Sequence, residues 1–178
     1  MQHVNIKLFV RHGVSVHLAD AIPVFHRWIQ RGGLPELLID VADYSHVPAG
    51  PGVVLIGHEA NYSLDLVRNR TGVLYNRKLA GNADAAQALQ QAYDAALAAC
   101  HRLESEPEFS GKLAFDLDEV EVTWNDRLLH PNTAKGWAAV APAVAVFFDA
   151  LYGAGKYTME RATDPRERLR VNVRKVQA

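Results

Sequence analysis

The segment Arg11-His12-Gly13, with His17 and Asp20 close behind, sets two imidazoles, a carboxylate and a guanidinium within ten residues. A short apolar run precedes it and a helix-start pattern follows. That position places side chains at a strand end and free amides at a helix N-terminus, where an anion can be held. If the next strand runs parallel to the first, its end brings Asp43, Tyr44 and His46 to the same rim of the sheet. His12, His17 and His46 with a carboxylate match the donors of an open Zn or Fe(II) site. His12, His17, Asp43 and His46 equally suit general acid–base work, with Arg11 on an anionic substrate group. The plainer reading is that these histidines are loop residues satisfied by backbone and water. No HExxH or CxxC spacing is present to favour the metal.

Gly57-His58-Glu59-Ala60-Asn61-Tyr62 crowds polar residues directly after an apolar run. Adjacent residues on an extended strand point to opposite faces. His58 and Glu59 therefore become a base and its orienting partner only if the chain bulges after Gly57. In a simple βαββ layout this group lies at the sheet end opposite His12, and a strand emerging into solvent explains it as well. Asn125, Arg127 and His130 precede Asn132-Thr133, a natural helix N-cap, so part of that polarity is helix punctuation. Arg127 and His130 are left over, and with Asn125 they suit a bound carboxylate or phosphate.

Charge is unevenly spread. Residues 104–121 carry seven acids, while the tail carries Arg161, Arg166, Arg168, Arg170, Arg174 and Lys175. Alternation over 168–174 gives a strand with one basic face, which the acidic stretch 116–121 can pair across a sheet. With a net charge of −1, that pairing is favoured over a nucleic-acid surface.

These groups need elements to position them. Ile6, Leu8 and Val10 alternate along a first strand over 6–10. A helix opens at Asp20 with Pro23 in its first turn, carries Ile22, Phe25 and Ile29 on one stripe, and ends at Gly32-Gly33. Strands follow over 37–42 and 53–56, separated by a Pro/Gly turn over 45–52. The alternation of Tyr62, Leu64 and Leu66 extends the latter strand, and another covers 71–78. Asn82 or Asp84 caps a helix to about Glu104, with Ala85, Leu89, Ala92, Tyr93, Ala96, Cys100 and Leu103 inside. A strand over 113–124 slips phase at Asp118-Glu119, the sign of a bulge. A third helix over 133–152 turns Trp137, Val140, Val144, Phe147, Phe148 and Leu151 inward, and a hairpin over 157–162 and 169–175 closes the chain.

The order predicts a single α+β domain over 1–178: two layers, a mixed and mainly antiparallel sheet covered by three helices. Residues 5–57 and 113–175 share a layout, so two βαββ-like repeats are one expectation.

Of 178 residues, 49% are hydrophobic and 22% charged, values that exclude disordered, collagen-like and coiled-coil chains. There is no GxGxxG, P-loop or GxSxG, so no nucleotide cofactor is expected. The single cysteine, the absence of a secretory h-region and an apolar stretch over 136–148 too short to span a bilayer point to a cytoplasmic protein without a membrane partner. The functional expectation is a small-molecule-binding protein whose histidine and carboxylate groups, with or without a divalent metal (Zn or Fe), act on an anionic substrate. The alternative is a non-catalytic module that dimerises or binds a partner through the open sheet face.

Overall fold

Val4, Ile6, Leu8 and Val10 put one wholly apolar face on strand β1 (Val4–Val10), and that face decides where the helices go. In the computed structural model, which describes residues 3–79 and 83–176, β1 is a central strand. The other strands are β2 (Leu38–Tyr44), β3 (Gly52–Gly57), β4 (Ala60–Asp65), β5 (Gly72–Arg77), β6 (Phe115–Trp124), β7 (Tyr157–Arg161) and β8 (Arg170–Lys175). They form one sheet in the order β2-β3-β4-β5-β1-β6-β8-β7. Three helices cover one face: α1 (Ala21–Arg31), α2 (Ala85–Ser105) and α3 (Ala134–Tyr152). α1 lies over β2 and β3, α2 over β5 and β1, and α3 beside α2.

The architecture is the α+β two-layer one that the pattern predicts. Every neighbouring pair among the described strands is antiparallel, so the sheet is not mixed. The stretch expected to prolong β3 instead turns back tightly at His58-Glu59 and forms β4. The turn carries neither proline nor an Asn-Gly pair, which is why the pattern hides it. The two segments with a repeated layout differ in adjacency. β8 lies directly between β6 and β7, whereas the β4-β5 hairpin separates β1 from β3.

Local signals explain the helices. α1 buries Ala21, Val24, Phe25 and Trp28, one position round from the expected stripe, and ends where Gly32 takes a left-handed φ of 71°. Asp84 caps α2 by accepting from Gln87 N at 2.9 Å, while the Gln87 side chain returns to the Asp84 amide. Asn82, the other expected cap, lies outside the described residues. Thr133 caps α3 through Gly136 N at 3.1 Å. Trp137 on α3 is only partly buried, whereas Trp124 on β6 is fully buried. α3 is longer than the expected apolar stretch, and by length and composition alone it could cross a membrane.

The face without helices positions the site. Along β1 it shows Asn5, Lys7 and Phe9, flanked by Asn76, Leu74 and Gly72 of β5 and by Thr123 and Glu121 of β6. β4 adds Asn61, Ser63 and Asp65, and β8 adds Arg170, Asn172 and Arg174. The phase slip in β6 is real: β1 moves from Val120 to Asp116 as it passes from Leu8 to Phe9, so residues 117–119 bulge. The acidic and basic strands pair as expected, Arg174 with Glu119 at 3.2 Å and Arg170 with Glu121 at 3.5 Å.

Candidate functional site

A strand face without a covering helix normally reaches water. Here Lys7 and Asp65 are almost wholly buried, at 1% and 0% exposure, and Asn5, Ser63, Glu119 and Glu121 are buried with them. Burying charges is costly unless they are paired. Lys7 Nζ lies 2.5 Å from Asp65 Oδ1 and donates to the carbonyls of Arg70 (2.6 Å) and Val67 (3.3 Å). Two of its hydrogens are thereby spent on carbonyls, and the ammonium ties the short turn Val67–Asn69 down onto the sheet. Arg68 and Asn69 in that turn are left-handed, with φ of 59° and 56°. Neither Asp65 oxygen has a hydrogen-bond partner among the described residues, the Lys7 contact at Oδ1 being an ion pair.

Above this pair opens a cleft of about 410 Å³. Its floor is Asn5, Lys7, Asp65, Leu74, Glu121 and Thr123. Its rim is Val67 and Arg68 from the turn, Arg127 from the loop after β6, and Glu167, Arg168 and Arg170 leading into β8. Five basic side chains face three carboxylates, against a chain charge of −1. The carboxylates are already engaged: Asp65 by Lys7, Glu121 by Arg68 and Arg170, and Glu167 by Arg170 at 2.9 Å. Among the described residues Arg127 and Arg168 have only neutral partners, the Arg166 carbonyl and Asn125 Oδ1 (2.9 Å). The surplus of two positive charges therefore sits on the rim. Asn125 braces it by exchanging hydrogen bonds with Asn5 and donating to Asn76 at 2.9 Å.

Burial pushes the Asp65 carboxyl up to about 6, against the opposing pull of Lys7, and burial lowers Lys7. A second polar group lies on the same sheet face, outside the cleft lining. Arg70 stacks 3.8 Å from the Phe9 ring and holds Glu119 in a two-pronged bond at 2.5 and 3.0 Å. Burial alone raises Glu119, but bonds from Arg70, Asn172 and Arg174 outweigh it and hold the group at about 2.

The residues singled out by sequence are dispersed. β1 and β2 do run in the same direction, but β5, β4 and β3 stand between them. At about 4.8 Å per strand, that is on the order of 20 Å. His12 and Arg11 line a smaller hollow of about 190 Å³ with Asn69, Arg70 and Thr71. His17 is exposed ahead of α1, His46 is exposed beyond β2, and Asp43 accepts from its neighbour Ser45 N at 2.8 Å. The structure thus does not gather His12, His17, Asp43 and His46 into one site. Among the described residues no group of three His, Cys, Asp or Glu side chains could hold a metal, and His12, His17 and His46 are not brought together as a ligand set. His58 and Glu59 are exposed in the β3–β4 turn, at the sheet end opposite His12.

The third group fares differently. Arg127 is on the cleft rim, and Asn125 supports its floor. His130 lies in the same loop against Trp124, with ring centres 6.4 Å apart, its Nδ1 buried without a hydrogen bond and its pKa lowered by burial. Sequence reasoning misses Lys7, Asp65 and Arg68, and finds Glu121, Arg168 and Arg170 only as members of an acidic and a basic strand that pair. The signal available was one parity of β1, Asn5 and Lys7, matched by one parity of β4, Asn61, Ser63 and Asp65. No protein-family model, curated protein or solved structure matches the chain.

Proposed function

We propose that the protein binds a small anionic molecule in the cleft over Lys7 and Asp65. The observation that carries this reading is the pair of rim guanidiniums, Arg127 and Arg168, that no carboxylate neutralises among the described residues. A planar guanidinium presents paired donors to carboxylate or phosphate oxygens. The cleft holds roughly a dozen waters by volume at about 30 Å³ each, so the ligand is of metabolite size. The expectation of an anionic substrate is kept, and its location moves from the histidine rim to the charged sheet face. Asp65, an acid with a raised pKa, is the group suited to accept or donate a proton. Calorimetric titration at low salt with inorganic phosphate and with succinate tests the reading. Saturable one-to-one binding to either supports it, and no heat from both at millimolar concentration refutes it.

Self-association remains the second reading, favoured by one observation. The edge strand β2 and its flanks expose Leu37 (68%), Ile39 (53%), Tyr44 (45%) and Val47 (38%). An uncovered apolar edge is a template for pairing with another chain. Sedimentation equilibrium distinguishes a dimer from a monomer.

A further inference from the structure

We propose that the ligand of this cleft is a hydroxylated anion, a small carboxylate or phosphate whose hydroxyl donates to Asp65 while its anionic group lies against Arg127 and Arg168. The inference rests on the anion-binding reading above and specifies the rest of the molecule.

The cleft asks for opposite things at its two levels. At the rim, Arg127 and Arg168 offer donors and positive charge that only neutral oxygens meet. At the floor, Asp65 is fully buried and lines the cavity, and neither carboxylate oxygen has a hydrogen-bond partner among the described residues: Oδ1 faces the Lys7 ammonium as an ion pair and Oδ2 faces no donor. Lys7 cannot turn to serve Oδ2, because two of its hydrogens go to the carbonyls of Val67 and Arg70. A buried acceptor left unmet carries its full desolvation cost. A ligand that brings a donor to that point recovers the cost, and one that lacks it leaves the acceptor to water or to nothing.

The donor has to be uncharged. An ammonium would satisfy Asp65 equally well in isolation. Here it would enter beside the Lys7 ammonium, 2.5 Å from the same carboxylate, in a cleft whose basic side chains outnumber its acids. Like charge that close in a buried setting is unfavourable. A hydroxyl supplies the hydrogen without the charge.

Calorimetry on the intact wild-type chain tests this with matched probes: malate against succinate and aspartate, and glycerol 3-phosphate against propyl phosphate. Malate is expected to bind at least about tenfold more tightly than succinate, the worth of one hydrogen bond to a charged group. It is also expected to bind more tightly than aspartate. Whichever of malate and glycerol 3-phosphate binds more tightly identifies the anionic group. Asp65→Asn is expected to erase the preference for hydroxyl, while Arg168→Ala weakens both members of a pair alike. If Asp65→Asn does not fold, the wild-type comparisons still decide. Equal affinity within both pairs, or aspartate binding above malate, overturns the hydroxyl proposal and leaves anion binding standing. No binding by any probe overturns both.

Discussion

Lys7 and Asp65 meet across a strand that lies between them, over a glycine: Nζ is 2.5 Å from Oδ1, and a Cβ on Gly72 would stand 2.9 Å from Lys7 Cε. The pair is buried on a face with no helix over it, and it anchors the turn that forms part of the cleft rim. Breaking a buried pair by removing one partner costs about 3–5 kcal/mol, because the other charge is stranded. Lys7→Met and Asp65→Leu are each expected to lose that much stability in urea unfolding. The double variant is expected to lose clearly less than the sum. Additive losses would show that the two groups do not depend on each other.

Gly72→Ala tests the crossing point. The added methyl would also lie 2.5 Å from the Leu8 carbonyl, so backbone as well as Lys7 must give way. The expected loss is about 1–3 kcal/mol, the usual range for overpacking. In that background Asp65→Asn is expected to cost less than in wild type, since the pair is already disturbed. An unchanged cost would contradict the path of Lys7 over Gly72.

Stability should respond to acid in a way that isolates Asp65. Its folded pKa of about 6 lies above the unfolded value of about 3.9. Between these values the folded state binds the extra proton, so this group adds stability as pH falls from about 6 to about 4. Glu119 acts oppositely. Held at about 2, it contributes stability above the unfolded value of about 4.3 and loses it as pH falls further. His130, lowered by burial, also loses stability on acidification. The difference curve between wild type and Asp65→Asn removes the last two contributions. It is expected to shift in favour of wild type as pH falls from 6 to 4, and a flat difference would contradict the raised pKa.

The layers were legible because Val4, Ile6, Leu8 and Val10, like Leu89, Ala92, Tyr93, Ala96 and Cys100, repeat with the period of their element. Strand β4 was hidden by a two-residue turn without turn-forming residues. The site was hidden for a different reason. Lys7 and Asp65 occupy positions that alternation assigns to solvent, and only the folding of loops over that face buries them. The histidines attracted attention by their chemistry, yet His17, His46 and His58 sit in loops that leave them exposed.

Two tryptophans measure how far periodicity misjudges burial. Trp137 has the spacing of a core residue on α3 but is only partly buried, whereas Trp124 is 1% exposed. Trp124→Ala is expected to cost about 3–5 kcal/mol. Trp137→Ala is expected to cost roughly 1–2 kcal/mol, since part of its ring stays in water. Equal losses would show that the α3 face is misplaced.

The most direct measurement of the central claim is the affinity of the best-binding anion for Arg127→Ala, Arg168→Ala and the control Arg31→Ala, an exposed residue at the end of α1 on the helical side. Each rim variant is expected to weaken binding about tenfold with unfolding free energy changed by less than about 0.5 kcal/mol, while the control binds as wild type does. Rim variants that bind as tightly as Arg31→Ala would place the anion elsewhere and end the account.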